Sequence, residues 1–194
     1  MIEVIDNLLP EWFLNRLVHV TQQELKWHIG RTALADDPYY SLATIISPGD
    51  PYDELFMLPF LAIKERFNSS ELGRVRPAAI PRDAKSLPNY PHVDAMDPHM
   101  VGLLYLNDTD GDTFIYKNTV EYDNSRPDLT QQEYCKLKGW SYDRDESEYF
   151  KDFEILERVT PRANRLVVFD GRHFHSSSSP TKTQLRYAIN YNFR

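Results

Sequence analysis

Leu185-Arg186-Tyr187-Ala188-Ile189-Asn190-Tyr191-Asn192-Phe193 is the stretch that decides how this chain is read. Alternate side chains of a β-strand point to opposite faces. One face here carries Leu185, Tyr187, Ile189, Tyr191 and Phe193 and must pack on a core. The other carries Arg186, Ala188, Asn190 and Asn192: one charge among small and amide side chains. On an open sheet such a face meets water. In a barrel it can line a ligand cavity, where a single Arg needs an anion, and its rigid fork suits a carboxylate.

Working back from this strand, short β segments bounded by turn residues predict strands at Leu72 to Ile80, Tyr90 to Asp94, Val101 to Asn107, Thr113 to Tyr116, Phe153 to Thr160, Arg165 to Phe169 and His173 to Ser176. Asp108 to Asp112 and Pro161 to Asn164 read as turns. Two helices are expected before them. One starts at Pro10 with a stripe of Trp12 or Phe13, Leu14, Leu17 and Val18; the other follows Asp50-Pro51, with Pro59 predicting a kink or a late start. The fold class expected is mainly β with helical cover: a double-stranded β-helix, or jelly-roll/cupin-like barrel, with N-terminal helices. Residues 1–194 read as one domain, divided into helical cover (1–70), barrel core (71–193) and an insertion (117–152). That insertion is polar and rich in aromatics, with a short helix near Leu129 to Lys138, and reads either as a solvated surface excursion or as a lid over a substrate.

Composition narrows the functional classes. With 41% hydrophobic and 26% charged residues, a self-standing core is expected. The single Cys135 rules out an intrachain disulfide and thiol-rich metal sites. The longest apolar stretch, Leu55 to Ile63, is too short for a bilayer span and contains Pro59. The start has neither a basic nor an apolar leader region, so a cytoplasmic protein is expected. A net charge of −7, from 22 basic and 29 acidic residues, argues against nucleic acid as a partner and for a neutral or basic substrate. No membrane partner is expected, and the sequence leaves the oligomeric state open.

The candidate chemistry lies in His92-Val93-Asp94. On a strand, an imidazole and a carboxylate at i and i+2 share a face, roughly 6.6 Å apart at Cα. A non-haem Fe(II) facial triad needs two His and one carboxylate. A buried strand, Arg165 to Phe169, ends in Asp170-Gly171, and His173-Phe174-His175 follows with two further imidazoles on one face. His99, in an apparent loop, reads as a neighbour of the site; His19 and His28 read as structural.

The blocks Tyr90-Pro91-His92-Val93-Asp94, Tyr105 to Asp108 with Gly111-Asp112-Thr113, and Arg165 to Gly171 through His175, Pro180 and Arg186 together resemble the Fe(II)/2-oxoglutarate-dependent dioxygenases of the prolyl 4-hydroxylase-like branch. The resemblance spans roughly Leu72 to Phe193. It implies that His92, Asp94 and His175 bind Fe(II) and act as the catalytic centre, with His173 the rival for the distal ligand. It implies that Arg186 holds the distal carboxylate of 2-oxoglutarate, and that Tyr90 approaches the co-substrate. The reaction implied is hydroxylation of a C–H bond, with peptidyl proline the leading target, using O₂ and releasing succinate and CO₂. Ascorbate is a further cofactor to expect, and a peptide or a small molecule the substrate partner. Two departures stand out: Asp110-Gly111 where many relatives have Gly-Gly, and Ala188 where many have a hydroxyl. A cupin-like metal enzyme without 2-oxoglutarate, or a non-catalytic peptide- or sugar-binding barrel, are the alternatives.

Overall fold

The computed structural model describes residues 1–31, 40–123, 125–126 and 128–194. Two antiparallel sheets face each other. The larger has the order β1-β8-β5-β10-β4-β3-β2 and the smaller β7-β6-β9. The strands are β1 (Ile2–Ile5), β2 (His28–Arg31), β3 (Tyr40–Ala43), β4 (Leu72–Pro81), β5 (Met100–Tyr105), β6 (Thr113–Thr119), β7 (Ile155–Val159), β8 (Arg165–Asp170), β9 (His173–Ser177) and β10 (Leu185–Phe193). This is the double-stranded β-helix expected from the strand rhythm.

The decisive strand lies at the centre of the larger sheet, paired with β4 on one side and β5 on the other. Its apolar face does what the alternation predicted. Ile189, Tyr191 and Phe193 join Val75, Leu104, Leu166 and Val168 in a core closed by two helices, α1 (Glu11–Gln23) and α2 (Asp53–Phe67). α1 contributes Phe13, Leu17 and Val20; α2 contributes Phe56, Phe60 and Ile63. Trp12 is not part of the stripe, being 72% exposed. Pro10 sits one residue outside α1, where its missing N–H costs nothing. Pro59 neither delays nor splits α2, which starts six residues before it and continues to Phe67.

The segment before residue 71 is more than helical cover. β1 pairs with β8, and β2 and β3 extend the sheet beyond β4. These four-residue strands are too short for a periodicity to show above the helices around them. The expected strand Tyr90 to Asp94 is also different. Residues 88–92 run antiparallel to β9 through isolated bridges, Pro88 to Ser178 and His92 to His175, because Pro88 and Pro91 lack the N–H groups a continuous ladder needs.

Between β6 and β7, the insertion folds onto the outer face of the smaller sheet. A helix, α3 (Gln131–Lys138), begins with a capping box: Thr130 Oγ1 accepts from the Glu133 N–H, and Glu133 accepts from the Thr130 N–H at 2.9 Å. Gly139, at φ 72°, ends it in the left-handed conformation. Tyr134, Cys135 and Phe150 pack with Val93, Phe114, Tyr116, Phe153 and Phe174 into a second core. Its aromatics are structural mortar.

Candidate active site

Between the two sheets lies a hollow lined from β4, β5 and β10 on one side and β6 and β9 on the other. His92, Asp94 and His175 meet at one end, with one potential ligand atom from each lying within 4.8 Å of the others. The bridge between His92 and His175, with N–H to O distances of 2.9 and 2.8 Å, brings the two rings to 4.6 Å between centroids. His92 Nδ1 lies 3.2 Å from the Tyr90 carbonyl and His175 Nδ1 lies 3.1 Å from that of His173. A carbonyl accepts only from a protonated nitrogen, so both rings keep Nε2 as a free lone pair. His175 Nε2 is 3.8 Å from Asp94 Oδ2.

Asp94 is clamped from three directions. Arg74 Nη2 sits 2.7 Å from Oδ1, while Asn190 and Asn192 donate from Nδ2 to Oδ2 at 2.8 and 2.9 Å. Burial alone would raise its pKa, but His175, Arg74, His92 and the Asn192 hydrogen bond together hold it well below the usual carboxylate range. Burial, with His175 beside it, pushes His92 down to about 4, and burial likewise lowers His175. At neutral pH the cluster offers two neutral imidazoles and one carboxylate.

Arg186 faces the same hollow and is 3% exposed. Its Nη2 donates to Thr113 Oγ1 at 2.6 Å, and its guanidinium lies 5.5 Å from the centre of the Tyr105 ring. The Tyr105 hydroxyl donates to the same Thr113 oxygen at 2.7 Å. Arg186 Nε and Nη1 are buried and have no hydrogen-bond partner. A buried guanidinium with two open donors is costly unless an anion completes it.

Residues 77–190, more than half of the chain, match the model of a family of unknown function, DUF6445. The chain belongs to the DUF6445 family. No curated protein matches it. Among solved structures, it is similar to a prolyl hydroxylase in complex with a hypoxia-inducible-factor oxygen degradation domain peptide fragment from Trichoplax adhaerens. That match has 16% identity and a TM-score of 0.65 and covers 99% of this chain and 82% of the other. A Pseudomonas putida prolyl-4-hydroxylase matches at 16% identity and TM-score 0.60, over 100% and 91% of the two chains. HygX from Streptomyces hygroscopicus, with nickel and 2-oxoglutarate bound, matches at 9% identity and TM-score 0.62, over 99% and 82%. At these identities the likeness establishes the fold.

The DUF6445 hollow fits a divalent metal and an oxo acid on its own chemistry. Two neutral His and one carboxylate form the donor set of a facial triad, and Arg186 offers the unmatched cation. Of the two imidazoles on β9, His175 joins the cluster; His173 Nδ1 lies 2.7 Å from the Tyr116 carbonyl and is not in it. Tyr90, expected at the co-substrate, does not line the hollow. Its ring stacks on Tyr142 at 5.4 Å and meets Phe150 edge-on at 5.5 Å. The insertion's aromatics do not line it either. His99 is buried on the far side of Asp94, its Nδ1 2.7 Å from the Asp97 carbonyl.

Asp110 pins the loop after β9: its carboxylate accepts from Thr181 N at 3.0 Å and Lys182 N at 3.1 Å. Gly111 is needed where it stands, since a Cβ there would lie 2.6 Å from the Ser178 carbonyl oxygen. Arg74 and Arg76 carry no signal singled out in the sequence, and Thr113, part of the Gly111-Asp112-Thr113 block, has no role assigned there. The first two were legible in principle as alternating charges on a strand, Arg74-Val75-Arg76, and Thr113 faces Arg186 from the opposite sheet.

Proposed function

We propose that this chain is a non-haem Fe(II)- and 2-oxoglutarate-dependent dioxygenase, a single domain over residues 1–194. In this reading His92, Asp94 and His175 hold the iron and Arg186 holds the distal carboxylate of 2-oxoglutarate. The observation that carries it is the pair of unmatched donors on Arg186, facing the hollow that also holds the three-ligand cluster. A metal enzyme without an oxo acid, or a sugar- or peptide-binding barrel, would leave that buried cation unanswered.

Iron and the oxo acid, when bound, supply oxidation of a C–H bond by O₂, with succinate and CO₂ released. The chain's own residues bind and orient. The carbonyls of Tyr90 and His173 fix the imidazole tautomers, while Arg74, Asn190 and Asn192 hold Asp94 in one rotamer. Thr113 and Tyr105 hold the Arg186 fork still, so that the co-substrate arrives at a preformed site. The substrate we propose is a peptidyl proline or a similar C–H donor, after the activities named for the Trichoplax and Pseudomonas proteins. Ascorbate would serve as a reductant, and the cytoplasm is the proposed location. No helix among the described residues is long and apolar enough to cross a membrane.

An anaerobic titration tests the reading. Fe(II) followed by 2-oxoglutarate should develop a visible charge-transfer band of the chelate. Folded protein that gives no band overturns the assignment. Mass spectrometry of proline peptides for a gain of one oxygen tests the substrate.

A further inference from the structure

The hollow contains a second cation that the co-substrate does not need. Arg76 projects from β4 directly opposite Asn190 of β10 and lines the cavity beside His92 and Asp94. On its other side it borders a groove of about 420 Å³ that includes Ile29, Ala43 and Ile45. Ile29 and Ile45 are 77% and 58% exposed. Among the described residues no acidic side chain pairs with Arg76, whereas Arg74, two positions earlier, is paired with Asp94 at 2.7 Å. Burial and the charge of Arg74 press on the Arg76 guanidinium more than Asp94 eases it, so its charge is held there against a cost.

The formal charges make the same point. Within the dioxygenase reading, on which this inference rests, the ferrous ion and three arginines outweigh Asp94 and a dianionic oxo acid by two charges. Asp112, which acts on Arg186, is already paired with Arg158. The site therefore remains cationic with its metal and co-substrate in place, although the chain as a whole carries −7. A low-dielectric cleft of one sign selects ligands of the other.

We propose that Arg76 anchors a carboxylate on the substrate to be oxidised, the acid entering by way of the groove and its carbons extending into the hollow toward His92 and Asp94. The planar guanidinium fork matches a carboxylate in two parallel hydrogen bonds. Its place between the His92 and Asp94 end of the hollow and the open groove sets a bound acid's remaining carbons next to the metal ligands. The substrate class is thus a small apolar acid or a peptide with a nearby carboxylate.

The test uses nickel-loaded protein saturated with 2-oxoglutarate, and calorimetry with matched acid and amide pairs. These are hexanoate and hexanamide, N-acetylproline and N-acetylprolinamide, and the capped dipeptides Asp-Pro and Asn-Pro. The first two pairs probe a free small acid and the third an acidic peptide side chain. At least one acid should bind tenfold or more tightly than its amide. Arg76→Met should erase that preference, and Arg76→Lys should restore part of it. The proposal is overturned if no pair is discriminated, or if the preference survives Arg76→Met. It is equally overturned if Arg76→Met weakens 2-oxoglutarate instead, since Arg76 would then serve the co-substrate. Wild-type protein that binds nickel but no 2-oxoglutarate would refute the underlying dioxygenase reading, and this inference with it.

Discussion

Arg186 is held at Nη2 by Thr113, while its Nε and Nη1 find no acceptor. An uncompensated buried charge destabilises the fold that contains it, and the same charge is what a carboxylate would meet on binding. Two opposite effects should therefore come from one substitution. Arg186→Met is expected to raise the melting temperature of the metal-free protein and to weaken 2-oxoglutarate by about 2–5 kcal/mol, read by thermal denaturation and calorimetry. Unchanged affinity would place the anion elsewhere. The two imidazoles of β9 separate in the same way. His175→Ala should abolish the chelate band, and His173→Ala, which removes a contact to the Tyr116 carbonyl, should only weaken it. At this scale the sequence was informative where a residue type is rare and its spacing fixed, as for His92, Asp94, His175 and Arg186. It was silent on Arg76, because the pattern of one strand cannot distinguish a cavity from solvent.

The elements explain why those side chains converge. The segment carrying His92 is too interrupted by proline to be held by a ladder, so α3 holds it from outside. Gln131 Oε1 accepts from the Val93 N–H at 2.8 Å, between the two ligands, and its Nε2 donates to the Tyr142 hydroxyl at 3.0 Å. Gln131→Ala should lower metal affinity by about tenfold or more, as expected for the loss of a group that orients ligands, measured by competition with a chelator. Thr130→Ala, which breaks the cap of the same helix, should cost about 1 kcal/mol of stability in urea denaturation. The insertion as a whole is not a detachable flap. Tyr134 and Phe150 are 5% and 3% exposed and share a core with Phe174 of β9, so removing residues 121–151 should yield insoluble or unfolded protein by circular dichroism. A folded deletion that still binds metal would restore the lid interpretation. The sequence showed this segment as an exception to the strand rhythm, but a polar surface dotted with aromatics looks alike whether the rings face a ligand or each other.

Across the whole molecule, stability and metal binding are linked through protons. His92 titrates near 4 in the fold against an ordinary value of 6.5, so the unfolded chain takes up the proton first. The metal-free protein should hold its full stability above pH 6.5 and lose it as pH falls toward 4. His92 alone accounts for roughly 3 kcal/mol of that loss, with His175 lowering it in the same direction. Urea unfolding across this window checks the slope, and His92→Gln should reduce it, leaving the part that His175 contributes. The barrel itself was legible because β10 reports two environments through one alternation, whereas β1 to β3 are too brief to register. That central strand also sets a length. It is hydrogen-bonded on both sides and cannot stretch, and four residues separate Arg186 from Asn190, about 13 Å at 3.3 Å per residue. With the arginine tip fixed by Thr113 and the asparagines fixed on Asp94, the strand works as a caliper with rigid jaws. In the dioxygenase reading, an oxo diacid one carbon shorter than 2-oxoglutarate reaches either Arg186 or a metal held by Asp94, and never both at once.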